Sequence, residues 1–78
     1  MNIGRICIKS VGKEAGMKCV IVSIMDDHFA LVDSTFVRRR RCNLKHLIPT
    51  NDSIDLKDGA STKDVEKALI KADVNFGE

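Results

Sequence analysis

Four consecutive arginines, Arg38, Arg39, Arg40 and Arg41, make the strongest chemical statement in this chain. A guanidinium is always charged and offers a planar fork of donors that matches phosphate oxygens in pairs, so such a run suits a nucleic-acid backbone. On an exposed sheet edge the same charges also discourage edge-to-edge aggregation. With no acid among them, however, the four repel one another and call for a counter-charge, which favours a polyanion partner. Arg5, Lys9, Lys13, Lys18 and Lys45 extend the basic set, and Asn43 and His46 lie beside it.

No other cluster competes with this one. Asp26, Asp27 and His28 are adjacent between two apolar runs, where acids ordinarily make a turn. His46 has no ligand partners nearby, and an RNA or core contact is the simpler role. Cys7, Cys19 and Cys42 are odd in number and widely spaced, without a CxxC pair, so they read as reduced, buried, small apolar residues of a cytosolic protein. The expectation is no catalytic residue, no metal and no cofactor. There is no Trp or Tyr, and Phe29 and Phe36 read as core. Proteins that read single-stranded bases stack them on exposed aromatics, so this set of side chains points instead to backbone and shape of folded RNA. A major-groove helix is missing from the basic half, which argues against specific DNA readout.

Charge is unevenly spread. The net charge over 78 residues is only +2, but residues 1–48 hold nine basic groups against four acids, and residues 49–78 hold four against seven. A domain of this length buries only about 60% of its unfolded surface, which leaves little room for an enclosed active site. An apolar content of 44% is enough to fold. No apolar stretch approaches the roughly 18 residues of a membrane span, and MNIGRIC lacks the pattern of a signal peptide. A soluble protein that stays where it is made is expected.

The elements that must position the basic set read as short strands followed by one helix. Ile6 and Ile8 alternate with Arg5, Cys7 and Lys9 in the period of a half-buried strand. Gly12 and Gly16 bracket a polar loop where a positive φ or a close backbone approach is expected. Residues 19–25 are nearly continuously apolar and β-branched, as in a central strand. Asp26 and Asp27 turn the chain into a returning strand from His28, and the arginine run leads to KHLI, ending at Pro49. On a strand the arginines alternate between faces, so their segment must sit at a rim or exposed edge. So few residues can hide an apolar sheet face only by curling it, which predicts a small barrel of about five strands over residues 1–49. Residues 50–78 read as an extended surface segment anchored by Ile54 and Leu56, then a helix from Thr62 to Asp73. Ser61 caps that helix with Asp64 three residues on, and Val65, Ala68, Leu69 and Ala72 form its apolar stripe. Lys63, Lys67 and Lys71 form a row that is either solvated or faces phosphate.

The stretch GRICIKSVGKEAGMKCVIVSIMDDHFALVD resembles a KOW motif, a module of ribosomal proteins and NusG-type elongation factors folded as an SH3-like barrel. Over nearly the whole chain, the order GRIC, GKEAG, KCVIV, DD with FALV, RRRRCN, LKHLIPT and DLKDGAS is similar to the archaeal and eukaryotic large-subunit ribosomal protein family "L fourteen e". The short tail resembles archaeal members, since eukaryotic ones carry long basic extensions. The resemblance implies Gly12 and Gly16 as the KOW loop glycines, and a basic segment comprising Arg39, Arg40, Arg41, Asn43 and His46. It further implies a cytoplasmic structural part of the large ribosomal subunit, monomeric when free, that staples large-subunit ribosomal RNA and touches neighbouring ribosomal proteins without catalysis. A KOW-type adaptor of transcription elongation, docking through the acidic tail helix and its apolar stripe, is the alternative.

Overall fold

A computed structural model describes residues 2–35 and 37–71. The expected core position of Phe36 and the expected helical residues Ala72 and Asp73 lie outside the described residues. Five strands form one antiparallel sheet: β1 (Arg5–Lys9), β2 (Lys18–Ile24), β3 (Phe29–Asp33), β4 (Arg40–Asn43) and β5 (Leu47–Ser53). A ten-residue helix, α1 (Thr62–Lys71), follows. The mostly β class with a C-terminal helix is as the sequence implies.

The strand order is β4-β3-β2-β1-β5, so β4 and β5 lie at opposite ends of the hydrogen-bonded series. Yet only a three-residue 3₁₀ turn, Leu44–His46, joins them. Flat strands about 4.8 Å apart would put the outer pair roughly 19 Å apart, while three 3₁₀ residues rise only about 6 Å. The sheet must therefore curl until its two edges approach, giving a small barrel-like fold. Two irregularities help it bend. In β2, Ile21 pairs with Val32 and Ser23 with Leu31, leaving Val22 as an extra residue. In β5 the register slips between the partners of Arg5 and Cys7. There the Thr50 hydroxyl donates to the Ile6 carbonyl at 2.7 Å, supplying a bond that the ladder loses.

Curling gives the sheet two buried faces. Inside lie Cys7, Cys19, Ile21, Ala30, Val32, Val37, Cys42 and Leu47. Outside, Ile6, Val20 and Val22 are covered by Ile54, Ala60, Val65 and Leu69 from the tail and helix. This explains the unbroken apolar run of β2: successive residues point to opposite faces, and both faces are covered. It also corrects the half-buried reading of β1, because Cys7 is fully buried on the face opposite Ile6 and Lys9 is buried as well. The strand expected to end at Pro49 runs on to Ser53. Pro is tolerated there because β5 is bonded to β1 alone and its other side needs no donor.

The tail is fastened by its backbone. The Gly59 amide donates to the carbonyl of the bulged Val22 at 3.1 Å. Ser61 caps α1 reciprocally: the Asp64 amide donates to Ser61 Oγ at 3.2 Å, and the Ser61 amide donates to Asp64 Oδ2 at 3.4 Å. Val65 and Leu69 are buried, as the stripe requires. Gly4, which sequence patterning did not single out, holds the junction. Its amide donates to the Ile21 carbonyl at 2.7 Å, and its carbonyl accepts from the Ile54 amide at 2.8 Å. Its φ is 90°, and a Cβ there would overlap the Ile54 carbonyl oxygen.

Gly4→Ala is expected to lower stability by about 3 kcal/mol, since strain at positive φ and a backbone collision add. Gly16→Ala, at φ 86° with open space around the Cβ, should cost only about 1 kcal/mol. Urea midpoints of the two variants check the difference, and equal shifts would contradict it.

Candidate nucleic-acid interface

The loop of residues 10–17 between β1 and β2 is closed at its base by paired backbone bonds. The Lys9 amide donates to the Met17 carbonyl at 3.0 Å, and the Gly16 amide donates to the Lys9 carbonyl at 2.7 Å. Within it, Ala15 N–H reaches Gly12 O at 3.1 Å and Met17 N–H reaches Glu14 O at 3.0 Å. Gly12 takes φ 84° with nothing near its missing Cβ, so conformation rather than close approach requires glycine there. Because the sheet curls, this loop faces the start of β4. A cleft of about 490 Å³ lies between them, lined by Lys9, Gly12, Lys13, Glu14, Arg38 and Arg40.

Glu14 is the hub of that cleft, and the sequence reading passed over it. Its Oε1 lies 3.1 Å from Lys9 Nζ and 3.9 Å from Arg40 Nε, while its Oε2 accepts from the Arg38 backbone amide at 2.9 Å. Burial alone would raise its pKa, but the Arg38 amide, the Lys9 ammonium and the Arg40 charge outweigh it and hold the carboxyl below its usual value. The only hint in the sequence was a lone acid between two loop glycines.

The four arginines have four different settings. Arg38 is exposed and held by its backbone. Arg39 Nη1 donates to the Ala60 carbonyl at 2.7 Å and to Asp33 Oδ2 at 3.3 Å. The same Asp33 oxygen accepts from Thr62 Oγ1 at 2.6 Å, and Asp33 is 98% buried, so Arg39 fastens the barrel to the start of α1. Arg40 leans on Glu14 with its side chain half exposed. Arg41 lies over the Phe29 ring, its Cζ 4.7 Å from the centroid, within cation–π range. The counter-charges that the run needs are thus partly internal, supplied by Glu14 from the 10–17 loop and by Asp33 at the end of β3.

The remaining basic residues divide in the same way. Lys9 is buried and paired with Glu14, and Arg5 Nη1 donates to the Thr50 carbonyl at 3.0 Å. Lys13 and Lys45 are exposed and Lys18 is half-buried. Asn43 caps the 3₁₀ turn, its Oδ1 accepting the Lys45 amide at 2.9 Å. The exposed His46 links the turn to the loop, since its carbonyl accepts from Ser10 N and Oγ at 2.9 and 3.0 Å. Lys13, Arg38 and Arg40 are thus brought together at one cleft, while the exposed Arg41 lies over Phe29 and the exposed Lys45 sits in the 3₁₀ turn. Lys63, Lys67 and Lys71 are exposed on α1.

The other chemical candidates are occupied by structure. Asp26 Oδ1 accepts from the His28 and Phe29 amides at 2.7 and 2.9 Å, bonds that lower its pKa and build the hairpin turn. Cys7 and Cys19 face each other across β1 and β2, and burial pushes their thiols up to about 11 and about 12. Among the described residues no group of three His, Cys, Asp or Glu could hold a metal ion, and no helix is long and apolar enough to cross a membrane.

No family model matches the chain. Individual relatives do. A protein of Methanococcus maripaludis named large ribosomal subunit protein eL14 is 51% identical over 69 residues, spanning 88% of each chain. The chain belongs to the eL14 family. Members named likewise from Saccharolobus solfataricus and Saccharolobus islandicus are 53% identical over 73 residues and 50% over 76. Those alignments span 88% and 92% of this chain, and 76% and 79% of the two relatives. In this eL14 member the similarity therefore extends through the loop, the arginine run and most of the tail.

Arg39→Ala is expected to destabilise by about 1 to 3 kcal/mol, because buried Asp33 loses a charged partner, while Arg38→Ala should leave the melting temperature nearly unchanged. Thermal melts at neutral pH check the contrast. Acid should weaken the loop. Glu14 has a depressed pKa in the folded state, so its stabilising contribution is present above the ordinary carboxylate range and is lost as pH falls through the folded value. The gap in urea midpoint between wild type and Glu14→Gln should be widest near neutral pH and shrink on acidification. A gap that does not change with pH would contradict this.

Proposed function

We propose that this eL14-family chain is a structural constituent of the large ribosomal subunit in the cytoplasm that grips large-subunit ribosomal RNA through backbone phosphates. The observation that carries the reading is that Lys13, Arg38 and Arg40, all exposed, are brought from the 10–17 loop and the β4 segment to one cleft, with exposed Arg41 and Lys45 further along the same stretch of chain. Such cations neutralise phosphates and release counterions, fixing register without reading sequence. The names of the relatives supply the assembly. Arg39, Lys9 and Arg5 act differently, as internal ties that keep the barrel and tail in place. Lys18, Asn43 and His46 border the cluster. The acidic tail, covering the opposite face of β1 and β2, leaves the edge open for RNA and suits a basic neighbouring ribosomal protein. No step of covalent catalysis is assigned, and none of the ribosomal relatives supports the transcription-adaptor alternative.

If about four to six phosphates are neutralised, the logarithm of affinity for a large-subunit rRNA fragment should fall with log salt at a slope of roughly −3 to −5. Replacing Arg38 and Arg41 together by Ala should flatten the slope by roughly one to two. Filter binding at several salt concentrations measures both. A flat wild-type response removes the proposal.

A further inference from the structure

The cleft between the 10–17 loop and β4 contains an acid where a polyanion-binding surface has least use for one. Lys9, Lys13, Arg38 and Arg40 line it together with Glu14. An acid at such a place would ordinarily repel phosphate. Here the Glu14 side chain is largely covered, 18% exposed, at the wall of the cleft, and its oxygens are engaged by groups from both sides of it. One oxygen holds Lys9 and leans toward Arg40 Nε, and the other takes the Arg38 amide.

We propose that Glu14 is a positioning residue, and that the cleft it organises receives one RNA backbone phosphate between Lys13, Arg38 and Arg40. The inference rests on the RNA-binding reading above and deepens it. Four features of the geometry support it. Lys9 is spent on Glu14, so the pair is neutral and the remaining three cations are the ones left to meet an anion. Arg40 approaches Glu14 through Nε at 3.9 Å, which leaves its two terminal nitrogens to form the fork that matches two phosphate oxygens. The Arg38 backbone is fixed by Oε2, so its exposed side chain starts from a set point at the rim of the cleft. The loop that carries Glu14 is closed by four backbone hydrogen bonds between residues 9 and 17, so the carboxylate is presented by a rigid element. Ordering long cations before the ligand arrives reduces the entropy lost on binding.

The sign of one mutation separates positioning from simple charge. Removing an acid from a phosphate-binding surface strengthens polyanion binding if only net charge matters. Glu14→Gln is instead expected to weaken binding of the large-subunit rRNA fragment by about threefold or more, because Arg38 and Arg40 lose their anchor. The double variant Lys9→Met with Glu14→Gln removes the buried pair without changing net charge, and it should also bind more weakly and with a shallower salt slope. Amide NMR spectra confirm that each variant is folded at the assay temperature, and on RNA addition the wild-type shifts should concentrate at Lys13 and Arg38. Tighter or equal binding by both variants, with wild type binding normally, overturns the role of Glu14 and leaves the RNA reading intact. Failure of wild type itself to bind RNA overturns both.

Discussion

The candidate interface depends on one constraint of connectivity: three residues must join the two outermost strands of a five-stranded sheet. That short link cannot be made unless the sheet curls. Once it curls, one face becomes an enclosed core and the other a convex surface that the tail covers. The 10–17 loop and the beginning of β4, separated by β2 and β3 along the sheet, then face each other across a cleft. Glu14 meets the arginine run for this reason alone.

Charge is handled within that geometry by division of labour. Four adjacent guanidiniums would oppose folding if all were left to repel one another. Buried Asp33 holds the partly exposed Arg39 against the barrel, where the arginine reaches the Ala60 carbonyl and Asp33 also bonds Thr62, tying β3 to the tail. Glu14 partly offsets Arg40, and the Phe29 ring supports Arg41. What remains at the surface is a set of cations held in place but incompletely neutralised. Such a surface gains most from a phosphate backbone, which brings repeated negative charge and requires no deep pocket.

Much of the fold was legible in local pattern. The β2 run, the Asp26 turn, the Ser61 cap and the Val65 and Leu69 stripe each depend on residues close in sequence, so their spacing carries the information. Two readings failed for a shared reason. β1 looked half-buried because Ile6 and Ile8 alternate with Arg5, Cys7 and Lys9, yet the curled sheet buries Cys7 and Lys9 on the other face. β5 was expected to stop at Pro49 because proline breaks interior strands, and only the topology shows that β5 has an unpaired side. In the site, the basic residues were visible as a list, but the list mixed tethered cations with free ones. Lys9 and Arg39 are distinguished from Lys13 and Arg38 by acids at Glu14 and Asp33, and no spacing rule links those partners.

The sequence alone pointed to the kind of partner to look for, a polyanion, because a guanidinium-rich segment without intervening acids follows from side-chain chemistry. It also determined the individual elements, since turns, caps and amphipathic stripes are local. Tertiary structure decided which cations are available and which acid orders them. Pairing energies depend on distance and burial, and both are set only when the curl of the sheet brings residue 14 beside residues 38 and 40.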